Sequence, residues 1–77
     1  MTTLERLTEV MKEVMPQVAP EKITMEADLI NDLGIDSLSM LLVAITVEEE
    51  FGMKFEETNS LKKVKDIVSY VDQRKTK

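Results

Sequence analysis

Asp32-Leu33-Gly34-Ile35-Asp36-Ser37-Leu38 is the stretch from which the rest of the chain is read. A glycine turn leads into an aspartate and a serine, and the apolar segment Leu38 to Phe51 follows at once. This pattern delivers a hydroxyl to the start of a helix, where unpaired backbone N–H groups and partial positive charge tolerate an attached phosphate. Two readings stand at this point: Asp36 and Ser37 as ordinary helix caps, or Ser37 as a hydroxyl presented for chemistry.

Toward the C-terminus, residues 37–51 form a helix with an unusual surface. At about 100° per residue, Met40, Val43, Ala44, Val47 and Phe51 share one broad face, which suffices as a core stripe. Leu38, Leu41, Leu42 and Ile45 gather on a different face, with Ser39, Thr46 and Glu50 in a polar seam between them. A surface helix in a soluble protein normally shows one apolar stripe. A second one in so small a domain points to an exposed patch for a partner. Gly52 is a fitting C-terminal stop, and Met53-Lys54-Phe55 can tuck its two apolar residues inward. Leu61, Val64, Ile67, Val68 and Val71 give an i, i+3, i+4, i+7 series for a last helix, capped from Asn59 or Ser60. Asp66 and Asp72 are expected to face out, and Tyr70 to be half-buried with its hydroxyl in water.

Toward the N-terminus, residues 17–36 are the longest connection. Val18, Ile23, Met25, Leu29, Ile30, Leu33 and Ile35 are too many apolar residues for a loose linker. A structured loop pinned to the helices is expected, with a helical turn near Glu26–Ile30, and so long a loop in a compact domain is usually functional. Before it, Thr2-Thr3-Leu4-Glu5 offers a capping box. Leu4, Leu7, Val10, Met11, Val14 and Met15 then recur at helical spacing until Pro16 stops them.

Composition narrows the chemistry. The 77 residues suit a single domain, 1–77. The chain contains no Cys, hence no thiol nucleophile, and no His, the commonest general base and metal ligand near neutral pH. A serine hydroxyl is a poor nucleophile unless a base takes its proton, so a hydrolase reading of Ser37 fails and no catalytic residue is assigned. Asp28, Asp32 and Asp36 recur every fourth residue but lack the glycine and terminal glutamate of a calcium loop, so no metal site is expected. Residues 1–61 hold 13 acids against 4 bases, and residues 62–77 hold 2 acids against 6 bases. The acidic body disfavours nucleic acid and favours partners with basic surfaces. No apolar run is long enough to span a membrane, and the first residues lack a signal-peptide pattern, so a free-standing cytoplasmic monomer is expected.

Asp32-Leu33-Gly34-Ile35-Asp36-Ser37-Leu38 resembles the attachment motif of acyl carrier proteins. Glu48-Glu49-Glu50-Phe51 is similar to the end of that family's second helix, and Val64, Asp66 and Tyr70 to its late pattern, so the likeness spans roughly Leu4 to Val71. It implies an all-α fold: a small four-helix bundle of three main helices plus one short helix near residues 56–60, with a long structured loop between helices 1 and 2. It implies a carrier rather than a catalyst. A phosphopantetheinyl transferase would place 4′-phosphopantetheine, donated by coenzyme A, on Ser37, with Asp36 and Leu38 beside it. Acyl groups would ride on that arm as thioesters. Partner synthases and acyl-transferring enzymes would meet Leu41, Leu42, Ile45, Glu48 and Glu49. Leu7, Val43, Val47, Phe51, Val64, Ile67 and Val68 would be core or line a space for the acyl chain.

Two features depart from the family pattern. Related carriers tend to have acids two and five residues after the modified serine, where this chain has Ser39 and Leu42. The usual set of basic partners therefore does not carry over directly. Aminoacyl carriers usually show Gly-Gly-x-Ser-[Leu/Ile], from which Gly34-Ile35-Asp36-Ser37 differs, leaving that class as a lesser alternative. A helical interaction module without prosthetic group is the other.

Overall fold

The computed structural model describes residues 2–56 and 61–74. It contains three α-helices, α1 (Thr3–Val14), α2 (Ser37–Phe51) and α3 (Val64–Arg74), and a 3₁₀ turn, Pro20–Lys22. No strand occurs among the described residues, and the all-helical class agrees with the sequence. The short helix expected between α2 and α3 falls largely on residues 57–60, outside the described residues.

Helix α1 begins at the expected capping box. The Thr2 hydroxyl accepts from the Glu5 N–H at 3.1 Å, and the Glu5 carboxylate accepts from the Thr2 N–H at 2.7 Å. Two otherwise orphaned donors are thereby satisfied reciprocally. Leu7, Val10 and Met11 are buried along one side, and the helix contacts both α2 and α3. It ends at Met15, whose N–H still reaches the Met11 carbonyl, one residue before Pro16.

Helix α2 ends at Gly52, whose φ of 66° lies in the left-handed region that glycine adopts most readily. Its Val43, Val47 and Phe51 are fully buried with Leu7, Met11, Val64, Ile67 and Val71 in one continuous core. The Arg6 guanidinium lies 4.3 Å above the Phe51 ring and donates to the Glu50 carbonyl, tying the end of α2 to α1.

Between α1 and α2 the chain is fastened to the start of α3. The Leu29 N–H donates to the Lys62 carbonyl at 2.9 Å, the Val64 N–H to the Ala27 carbonyl at 3.0 Å and the Lys65 N–H to the Met25 carbonyl at 3.0 Å. Asp28 and Lys63 form an isolated antiparallel bridge. Val18, Ile23, Ala27, Leu29, Leu33 and Ile35 are buried, so this stretch is part of the core.

The start of α3 corrects one expectation. Asp66 is not simply outward-facing: its carboxylate accepts from the Lys62 and Lys63 N–H groups at 2.9 and 3.0 Å. Those bonds, the Lys63 one foremost, hold its pKa below the ordinary 3.8. A carboxyl whose pKa falls on folding contributes stability above its unfolded pKa and loses it as pH falls through the folded value. Asp66→Asn should therefore lower the unfolding midpoint at neutral pH, and the gap from wild type should close in strong acid. Urea melts across pH check this. A gap independent of pH would contradict it. Asp28 and Asp36 are shifted in the same direction by their own backbone partners.

Tyr70 is half-buried as expected, but its hydroxyl accepts from the Glu56 N–H at 2.8 Å rather than facing only water. Its ring lies 4.9 Å from that of Phe55, with the Arg74 guanidinium 3.8 Å over its face. Asp72 accepts from the Thr3 hydroxyl, joining α3 to the start of α1.

Candidate functional site

Ser37 is placed by the turn that precedes it. The Asp28 carboxylate accepts from the Ile30 and Asn31 N–H groups at 3.0 and 2.8 Å, and Asp32 accepts from the Asp28 N–H at 2.7 Å. This self-bonding is the turn chemistry that short acidic side chains favour. Leu33 and Ile35, on either side of Gly34, are both buried. Gly34 makes that turn at a φ of 69°, with nothing within 4 Å of where a Cβ would stand. Its glycine identity is a matter of backbone conformation and not of space. The Ile35 N–H closes the turn on the Leu29 carbonyl at 2.9 Å.

Asp36 is the N-cap of α2, and its carboxylate accepts from the Ser39 N–H at 2.8 Å. That bond is the main cause of its lowered pKa, so the group is ionised at neutral pH. The capping reading thus holds for Asp36 and leaves Ser37 without that task. Ser37 is the first residue of α2 and is exposed. Among the described residues no hydrogen bond engages its hydroxyl. An exposed, unengaged hydroxyl at a helix N-terminus fits a covalently attached phosphoryl group, since the helix end favours negative charge.

The second stripe of α2 remains outside the core. Leu38 is 67% exposed, Leu41 55%, Leu42 47% and Ile45 45%, while Val43, Ala44 and Val47 on the other side are buried. From Ser37 to Val47 the helix carries no charged residue. The exposed aliphatic face therefore runs without interruption from the serine along about two and a half turns.

Beside the serine opens a cleft of about 630 Å³. Leu29, Ile30, Ile35, Met40, Leu41 and Leu61 form its apolar walls, and Asp36, Ser37 and Lys62 its polar edge. The residues named from sequence as possible acyl-chain lining, Leu7, Val43, Val47, Phe51, Val64, Ile67 and Val68, are all buried in the core and none borders this cleft. Leu41 belongs to the exposed stripe expected on α2, whereas Leu29, Ile30, Ile35 and Leu61 escaped the sequence reading as cleft walls because they come from the 17–36 connection and the segment leading into α3. The backbone pairing that joins those two segments has no periodic signature.

The three glutamates at the end of α2 differ from one another. Glu48 accepts from the Phe55 N–H at 2.8 Å and so holds the turn after Gly52. Glu50 pairs with Arg6 at 3.3 Å. Glu49 is exposed, and among the described residues no cation pairs with it. No group of acidic side chains able to hold a metal, and no helix long and apolar enough to cross a membrane, occurs among the described residues.

Comparison with known proteins bears on the family and the fold. A family model described as "Phosphopantetheine attachment site" matches residues 5–71. An acyl carrier protein of Coprothermobacter proteolyticus is 40% identical over 70 residues, covering 88% of this chain and 84% of the relative. An acyl carrier protein of Zymomonas mobilis is 36% identical over 75 residues, covering 95% of each. Among solved structures, the apo doublet acyl carrier protein from prodigiosin biosynthesis superposes with a TM-score of 0.82 at 18% identity, covering 95% of this chain. This chain spans only 36% of that longer one, and at that identity the likeness speaks to the fold.

Proposed function

We propose, from the premise that the chain belongs to the acyl carrier protein family and carries acyl groups on a covalent 4′-phosphopantetheine, that the arm is attached at Ser37. The observation that carries this is the exposed, unengaged hydroxyl at the first position of α2, capped by a different residue. In the modification, Ser37 Oγ bonds to the phosphorus that bears pantetheine in coenzyme A. The phosphoanhydride bond to 3′,5′-adenosine diphosphate breaks, and that nucleotide leaves. The hydroxyl proton goes to a base on the transferase, since this chain has no His to receive it. The bound group supplies the thiol that the sequence lacks.

What this chain's residues contribute is placement. Asp36 fixes the first turn of α2 through Ser39, the buried Leu33 and Ile35 clamp the turn at Gly34, and Leu38 shields the base of the arm. Tethering raises the effective concentration of the acyl group at each partner enzyme. Residues 1–77 act as one monomeric carrier domain, in the cytoplasm, serving fatty acid, polyketide or related biosynthesis. The chain has no catalytic role of its own. The test is to load the modified protein from an acyl donor and treat it with neutral hydroxylamine, which cleaves thioesters. Bound acyl label released by hydroxylamine is expected. A modified protein that takes up no label, or holds it against hydroxylamine, would overturn the carrier reading.

The partner surface follows from the uncharged face. Any enzyme acting at Ser37 must approach along Leu38, Leu41, Leu42 and Ile45, with Glu49 and Glu48 at the far end. Leu42→Glu places a charge in that contact without touching the core. The expected result is a drop of about tenfold or more in the transferase's kcat/KM, the scale of a truncated central contact, with the unfolding midpoint unchanged. A rise in kcat/KM would instead mean that the partner presents a basic patch.

A further inference from the structure

Three lysines stand close together at the start of α3, and two of them are occupied. Lys63 Nζ lies 3.5 Å and Lys65 Nζ 3.4 Å from the Glu26 carboxylate. Lys62 has no carboxylate within ion-pair distance among the described residues. It borders the cleft that contains Ser37 and is the only cation on that cleft among the described residues. The single acid there among the described residues, Asp36, has its carboxylate bonded to the Ser39 N–H.

The backbone of Lys62 is held on both sides. Its N–H donates to the Asp66 carboxylate at 2.9 Å, and its carbonyl accepts from the Leu29 N–H at 2.9 Å. The neighbouring Leu61 is buried. Lys62 is exposed, so its backbone is fixed at the cleft edge while its ammonium reaches water. The edge of the cleft therefore carries an ammonium with no paired carboxylate among the described residues, on the same cleft as the serine where an anionic group is proposed to be attached.

We infer that Lys62 binds the anionic oxygens carried by the group attached at Ser37. This rests on the attachment proposed above. Two parts of the cargo offer that chemistry: the phosphodiester at the base of the arm, and the distal carboxylate of an acyl group derived from a dicarboxylic acid. Lys62 acts as a positioning residue, holding the cargo along the apolar cleft rather than extended into solvent.

The test follows the Lys62 side-chain ammonium resonances at one mildly acidic pH, where thioesters persist. It uses unmodified protein, protein carrying the bare arm, and protein carrying a butanoyl or a malonyl thioester. Intact mass is read on each sample first, so failure to attach an arm is seen separately and overturns the underlying attachment together with this inference. The charges facing Lys62, those of Asp36 and Asp66 with the Lys63–Glu26–Lys65 group beyond, are the same in every sample. An added anion in contact raises the lifetime of the ammonium protons against exchange with water by about twofold or more, as a charge-assisted hydrogen bond should. A rise with the bare arm identifies the phosphodiester as the ligand. A rise only with malonyl, and not with butanoyl, identifies the distal carboxylate. Lys62→Met should remove the accompanying change in the phosphodiester phosphorus or malonyl carbon resonance, and Lys62→Arg should restore it. An unchanged Lys62 ammonium lifetime in all three modified samples would overturn the inference.

Discussion

Ser37→Ala yields a protein that folds as wild type and carries no acyl group at all. The two halves of this expectation rest on separate observations. Structurally the serine has little to do, because Asp36 caps α2 and no hydrogen bond among the described residues engages the Ser37 hydroxyl. Alanine is the better helix former and suits the first helical position. The unfolding free energy should therefore stay within about 0.5 kcal/mol of wild type, the range of surface substitutions away from special features. Chemically the Ser37 oxygen is the proposed point of attachment, and no Cys or His offers a substitute. Asp36→Ala is the informative contrast. It removes the cap while keeping the hydroxyl, so it should lower stability yet still accept the arm at a reduced rate. Circular dichroism melts beside transferase kinetics separate the two variants. A Ser37→Ala protein that still carried acyl label would place the attachment elsewhere.

Phe51→Ala has the largest expected effect on stability. The ring is fully buried, is the largest such side chain in the core and meets the Arg6 guanidinium at 4.3 Å. Phe→Ala in a core costs about 3–5 kcal/mol, from lost burial and the cavity left behind. Domains hold only about 0.05–0.15 kcal/mol per residue, so a chain of this length has little beyond that to lose. The variant should populate the unfolded state measurably at 25 °C and show a much lower urea midpoint. It should accept the arm poorly, because the α2 presenting Ser37 is anchored by this residue. An unfolding free energy within about 1 kcal/mol of wild type, on the scale of an ordinary substitution, would contradict the packing described.

These two residues also mark what the sequence made legible. Phe51 follows from helical spacing, and so do the capping box at Thr2, the stop at Gly52 and the exposed second stripe of Leu38, Leu41, Leu42 and Ile45. All of these depend on local periodicity or on one backbone angle. Ser37 was singled out by its motif. The cleft was not legible, because its walls meet through the pairing of Ala27 and Leu29 with Val64 and Lys62, between segments more than thirty residues apart. Nor could sequence divide the lysines at the start of α3 into two that pair with Glu26 and one that borders the serine. The roles of Glu48 and Tyr70 escaped for the same reason: each satisfies a backbone N–H across a turn, at Phe55 and Glu56. Such partners depend on the path of the chain and leave no trace in spacing.

The most direct measurement is intact mass of the wild-type chain before and after incubation with coenzyme A, Mg²⁺ and a promiscuous phosphopantetheinyl transferase, followed by fragmentation to locate the added group. A gain of one phosphopantetheine per chain, on the peptide bearing Ser37, is the expected result. No gain from a folded chain, under conditions where the same transferase modifies a control carrier, would contradict the account, as would a gain located on any other residue.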